Sequence, residues 1–121
     1  MALDPNRWTI KTTEAFNAAS ELGRTASNPE IVPEHLLLAL LGQHEGIVLP
    51  LLHRVGVDIV KARNEAEAVV AKLPSAYGSD PQLGRTLRET FEAAETVRDD
   101  LADEYLSTEH LLLALVGKVA G

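Results

Sequence analysis

Apolar residues recur along this chain at helical spacing, and the spacing breaks at proline, glycine and asparagine. Ala15, Phe16, Ala19 and Leu22 fall on one face of a helix predicted over about Thr9 to Arg24, with Thr9 as its N-cap. Ser27-Asn28-Pro29 marks a turn. A second helix starts at Pro33, where a missing N–H costs nothing, and is apolar nearly all round from Leu36 to Leu41. Such a helix belongs in the middle of a bundle. A short third helix spans about Ile47 to Val55, with Pro50 in its first turn and Gly56 after its end. A fourth follows the cap Asp58 and runs to Leu73, where Pro74 stops it. A fifth covers about Gln82 to Ala102, with Leu83, Leu87, Phe91, Ala94, Val97 and Leu101 as its stripe. A sixth covers about Thr108 to Val116, capped by Ser107.

The pattern repeats. Glu34-His35-Leu36-Leu37-Leu38-Ala39-Leu40 recurs as Glu109-His110-Leu111-Leu112-Leu113-Ala114-Leu115. The same offset, without gaps, pairs Glu14 with Glu89, Phe16 with Phe91, Ala18 with Ala93, Ala19 with Ala94 and Gly42 with Gly117. Leu22 then meets Val97, and Ile31 meets Leu106. Identities concentrated at apolar sites indicate one helical unit used twice. The expected architecture is all-α, a pseudo-twofold double helical repeat in a single domain over residues 1–121. Repeat one covers about 9–74, a linker 75–81, and a partial second repeat about 82–121. Gly46, which precedes helix three, maps onto Gly121, so the second repeat is expected to be truncated after its second helix. That leaves apolar surface on helices five and six without its cover.

Composition narrows the function classes. Apolar residues are 45% and charged residues 24%, as in an ordinary globular domain. Aromatics are few, so the core is aliphatic. The net charge of −7 lacks the basic footprint of a nucleic-acid binder and favours cationic partners. Without cysteine there is no disulfide, thiolate nucleophile or zinc ribbon, which suits a cytoplasmic setting. No apolar run reaches the roughly 20 residues that span a bilayer, so neither nucleic acid nor membrane is an expected partner.

Catalytic motifs are missing. Gly117-Lys118 has neither the upstream glycine nor the following Ser or Thr of a phosphate-binding loop. None of His35, His44, His53 and His110 forms the i, i+4 pair of a zinc-protease helix, so no metal site is expected. His35 and His110 read as helix-start residues bonded to nearby backbone. Asp99-Asp100 and Asp103-Glu104 read as a solvated helix face. The residue chemistry describes a binding module with no catalytic residues and no cofactor of its own.

Three segments carry a resemblance: Thr9-Ile10-Lys11-Thr12, Pro33 to Leu41, and Ser107 to Leu115. They resemble the Clp N-terminal repeat domain, which caps ring-forming AAA+ unfoldases. Asn28-Pro29-Glu30-Ile31, Gly46-Ile47-Val48, Val55-Gly56-Val57 and Lys72-Leu73-Pro74 look most like the ClpB-like, disaggregating branch; the ClpC-like, protease-associated branch is second. The resemblance implies a mobile domain tethered to a hexameric ring, whose ATPase modules hold ATP and Mg outside this chain. In the first branch the ring extracts proteins from aggregates with DnaK-type chaperones, and the N-domain engages unfolded or aggregated substrate. In the second it binds adaptor proteins and can recognise phosphorylated arginine. A stand-alone interaction or oligomerisation module is the remaining alternative.

The resemblance also marks candidate binding residues, each with a simpler explanation beside it. Glu34 and Glu109 occupy matching first turns of helices two and six. A carboxylate there favours the helix dipole by about 0.3–1 kcal/mol, but the matching glutamates of ClpC-like domains help receive arginine-phosphate. Thr9 and Asp103, with Glu109, match positions tied to substrate handling in ClpB-like domains; capping explains Thr9 and solvation explains Asp103 equally well. An apolar groove between the repeats is the other candidate surface, with Leu101, Tyr105 and Leu106 as its residues.

Overall fold

The computed structural model describes residues 3–78 and 80–119, with the side chains of Lys118 and Val119 excepted. Ser79, within the expected linker, and Gly121, the expected match of Gly46, lie outside the described residues. The helices are α1 (Ile10–Thr25), α2 (Pro33–Leu41), α3 (Val48–Arg54), α4 (Ile59–Ala71), α5 (Arg85–Asp100) and α6 (Thr108–Val119). Two short strands, β1 (Glu30–Ile31) and β2 (Gln82–Leu83), pair in parallel with Glu30 opposite Gln82 and Ile31 opposite Leu83.

The two units match in geometry as well as in sequence. Helices α1 and α5 have bounds separated by one constant offset. Two residues past the end of each comes a residue with left-handed backbone, Ser27 at φ 56° and Ala102 at φ 58°. One residue later the chain turns back on the same bond: Asn28 N donates to Gly23 O at 2.9 Å, and Asp103 N to Arg98 O at 3.0 Å. The strand pairing obeys the same symmetry. Gly84 N donates to Ile31 O at 3.1 Å, and its counterpart Thr9 N donates to Leu106 O at 3.0 Å. Trp8 and Leu106 thus form a single bridge where Leu83 and Ile31 form a strand pair. The segment leading into the first helix of each repeat lies against the segment leading into the second helix of the other.

Beneath these bridges lies the core. Phe16 and Phe91, related by the offset, meet edge to face at 5.7 Å, and Trp8 packs on both at 5.3 and 5.1 Å. Aliphatic side chains of α2 and α6, among them Leu36, Leu40, Leu111 and Leu115, complete the same cluster. Helix α2 touches α1, α3, α4, α5 and α6, the central place its all-round apolar surface predicts. Among the described residues, no helix is long and apolar enough to cross a membrane.

Helix five departs from expectation. It starts at Arg85, not Gln82, and ends at Asp100. Gln82 and Leu83 are drawn into pairing with β1, and a Cβ on Gly84 would lie 2.7 Å from Ile31 O. The close strand contact therefore takes the residues that periodicity assigned to the helix. Leu101, placed on the same stripe, sits past the helix end and is 57% exposed.

Candidate functional site

Each second helix begins on a histidine latch. His35 Nδ1 accepts the Val32 N–H at 2.9 Å, and His110 Nδ1 accepts the Ser107 N–H at 2.9 Å. The ring stands where a Glu or Gln would stand in a capping box and captures a donor the helix leaves unpaired. With Nδ1 accepting, Nε2 carries the proton and donates: His35 to Asn28 Oδ1 at 2.9 Å, His110 to Asp103 Oδ2 at 2.8 Å. Both rings are buried. Burial holds the His35 imidazole below its ordinary pKa, against the smaller opposing pull of the Glu34 carboxylate. This is the helix-start role expected of both histidines.

The start of α6 is joined to the start of α1. Thr9 Oγ1 accepts the Thr12 N–H at 3.2 Å and lies 2.9 Å from Thr12 Oγ1. Thr12, fully buried, donates its hydroxyl to Leu106 O at 2.8 Å, and Thr9 N donates to the same carbonyl. Thr9 is thus the N-cap the sequence implies and also a cross-repeat tie.

Beside this tie opens a cleft of about 380 Å³, lined by Thr9 and Ile10 at the start of α1, Ile47 at the start of α3, and Ser107 and Thr108 at the start of α6, with Lys11 and Glu45 also on its wall. Ile10 is 79% exposed and Ile47 is 46% exposed. Two helix N-termini, which carry unpaired N–H groups and partial positive charge, open beside two uncovered isoleucines. Apolar side chains and carbonyl oxygens both find complementary groups there.

Of the candidate residues, Thr9 lines this cleft; Glu34, Leu101, Asp103, Tyr105, Leu106 and Glu109 are not among its lining residues. Glu109 is exposed on the first turn of α6 and accepts the Ser107 hydroxyl at 3.2 Å. Asp103 is half-exposed and its carboxylate is held by His110. Leu101 and Tyr105 are exposed on the loop between α5 and α6. Glu34 lies on the first turn of α2, partly buried, and does not line the cleft. Leu106 is corrected: its side chain is fully buried and offers no surface, and its carbonyl does the work of tying α1 to α6. The sequence reading missed Ile10 and Ile47. Ile10 had a signal, since it is a large apolar residue off the buried stripe of its own helix.

The tied starts of α1 and α6, the paired histidine latches and the crossed strand pairs define a two-repeat helical domain with exposed Ile10 and Ile47 beside the tie that joins the repeats. The Clp repeat (R) N-terminal domain model matches residues 7–120, and the chain belongs to that family. It is 46% identical over 110 residues to the chaperone protein ClpB of Corynebacterium diphtheriae, covering 88% of this chain and 13% of that one. The chain therefore spans about an eighth of the length of that relative. Among solved structures, it resembles the N-terminal domain of the ClpV1 ATPase from E. coli, with TM-score 0.84 and 30% identity, covering 93% of this chain and 69% of that one. A ClpV N-domain in complex with a VipB peptide has the same fold, with TM-score 0.79 at 18% identity, covering 99% of this chain and 79% of that one.

Proposed function

We propose that this chain is the substrate-engaging N-terminal module of a ClpB-like, ATP-dependent disaggregase. The cleft at the joined starts of α1 and α6 carries the reading, because it sets exposed Ile10 and Ile47 beside Thr9, Ser107 and Thr108. Unfolded and aggregated proteins expose apolar side chains and unpaired backbone carbonyls, and this surface suits both. Glu109, Asp103, Leu101 and Tyr105 form its outer contacts, while Glu34 serves α2. The parent is a cytoplasmic hexamer whose ATPase modules bind ATP and Mg and which works with DnaK-type chaperones; this chain supplies binding and no hydrolysis. The identity to ClpB favours this role over a ClpC-like adaptor or phosphoarginine receptor and over a stand-alone module.

Titration of a labelled, permanently unfolded protein against the chain tests the reading. Ile10→Ser and Glu109→Ala are expected to weaken binding without loss of fold. Thr9→Ala removes both contact and cap, so Thr9→Ser, which keeps the hydroxyl, is its control. Unchanged binding across Ile10→Ser, Glu109→Ala and Thr9→Ala would remove the cleft as the site. Absence of binding by the parent chain would remove the function. Heat released on adding free phosphoarginine would favour the ClpC-like reading instead.

A further inference from the structure

A second concavity adjoins the Thr9–Ser107 cleft. A groove of about 740 Å³ runs between α1 and the C-terminal part of α2. Ala18 and Leu22 of α1 and Leu38 and Ala39 of α2 give it an apolar lining. Leu22, expected on the buried stripe, is 39% exposed there. Ala18, Ala39 and Gly42 are small enough to let a partner's backbone approach closely.

Carboxylates also line it: Glu14 and Glu21 on α1, and Glu45 in the loop after α2. Lys11 Nζ lies 3.5 Å from Glu14 Oε1, and Arg24 pairs with Glu21. Both are solvent-exposed pairs within a single helix, which hold their partners weakly and exchange them readily. Among the described residues, Lys11 is the only Lys or Arg lining the groove, against three carboxylates, in a chain of net charge −7. Lys11 and Glu45 line this groove and the Thr9–Ser107 cleft alike, so the two concavities adjoin.

We propose that the α1–α2 groove receives an apolar polypeptide segment flanked by Lys or Arg, as the continuation of a chain held at the Thr9–Ser107 cleft. This rests on the reading that the domain engages polypeptide, and adds a second surface and a charge preference. The apolar lining takes the segment's side chains. Its flanking cations meet Glu14, Glu21 and Glu45, and an acidic flank would meet like charge instead.

Three fluorescent peptides of equal length, with one shared apolar core flanked by Lys/Arg, by Ser or by Asp/Glu, test this by anisotropy on the whole chain. The Lys/Arg peptide is expected to bind most tightly. Ala18→Gln, which places a neutral polar side chain in the groove at an exposed position, is expected to weaken it about tenfold. Glu14→Gln with Glu21→Gln is expected to narrow the preference for the basic flank about two- to fivefold. Equal affinity for the three peptides would overturn the charge preference. Tight binding that is lost in Ile10→Ser but unchanged in Ala18→Gln would overturn the groove while leaving the cleft as the binding site. If neither peptides nor the unfolded protein bind, the functional reading itself fails.

Discussion

Helices α2 and α6 share a seven-residue sequence yet live in different surroundings. Leu41, at the end of α2, is fully buried, while its counterpart Val116 on α6 is 53% exposed. Leu38 is partly buried on the wall of the α1–α2 groove; its counterpart Leu113 is 54% exposed. The inward positions do not differ in this way, since Leu36, Leu40, Leu111 and Leu115 are all buried. The difference is cover: α4 packs along α2, whereas α3 touches α2 and α6 alike. A repeated sequence thus guarantees the inward face of each helix. The outward face is set by whatever the rest of the chain lays upon it.

The sharpest way to break this comparison is a pair of truncations. Leu41→Ala opens a cavity in a filled site and is expected to cost about 2–5 kcal/mol. Val116→Ala removes an exposed side chain and is expected to change stability by no more than about 0.5 kcal/mol. Denaturant unfolding of both decides it; equal losses would show that α6 is covered in solution.

The strand crossings come next. Gly84→Ala puts a Cβ against the Ile31 carbonyl and is expected to destabilise by about 1–3 kcal/mol through overpacking. Thr9 carries a side chain at the matching position. Its loss in Thr9→Ala is expected to cost about 0.5–2 kcal/mol through the missing cap. Thermal unfolding ranks the two, and a harmless Gly84→Ala would mean that the two crossings are looser than their hydrogen bonds imply.

Acid sharpens the comparison of the latches. Burial lowers the pKa of folded His35 from the ordinary 6.5, so the unfolded chain takes up its proton first. The His35 contribution is therefore whole above pH 6.5. It declines as the pH falls below that value, until the folded ring is itself protonated. Protonation at Nδ1 would also turn an N–H toward the Val32 N–H it now accepts. In His35→Gln this part of the pH dependence is expected to vanish from urea midpoints measured across the range. An unchanged profile would assign the acid sensitivity elsewhere.

Small gains belong to the left-handed residues. Ser27→Gly and Ala102→Gly each remove the steric cost of positive φ and are expected to stabilise by about 0.5–1 kcal/mol, visible as a raised Tm. Matching gains at both would extend the equivalence of the two units to their backbone strain.

Much of the fold is legible from short-range pattern. Thr9 and Asp58 cap α1 and α4 as their positions beside periodic stripes imply. The starts of α2 and α6 follow from Pro33 and Ser107, and both histidines bond to nearby backbone. Helix ends are less legible. Helix α4 stops at Ala71, two residues before Leu73, and α6 continues past Val116. The candidate site was half visible. Thr9 lines the cleft, but Leu106 looked like surface and is core, and Ile10 and Ile47 stood in marked segments without being named as binding residues. Periodicity marks apolar residues without saying which of them the rest of the chain will cover.

What the sequence alone determined is what neighbours within a turn or two decide: six helices, the caps Thr9 and Asp58, and the repeat with its paired Glu-His segments. Such signals act over i to i+4, where a side chain and the backbone it bonds are already close. The tertiary structure alone decided the crossing of Glu30–Ile31 with Gln82–Leu83 and of Trp8 with Leu106. It also decided the burial of Leu106, the exposure of Val116 and the tie between Thr9 and α6. These join residues some fifty to a hundred positions apart in the chain, and no local preference in either partner specifies the other.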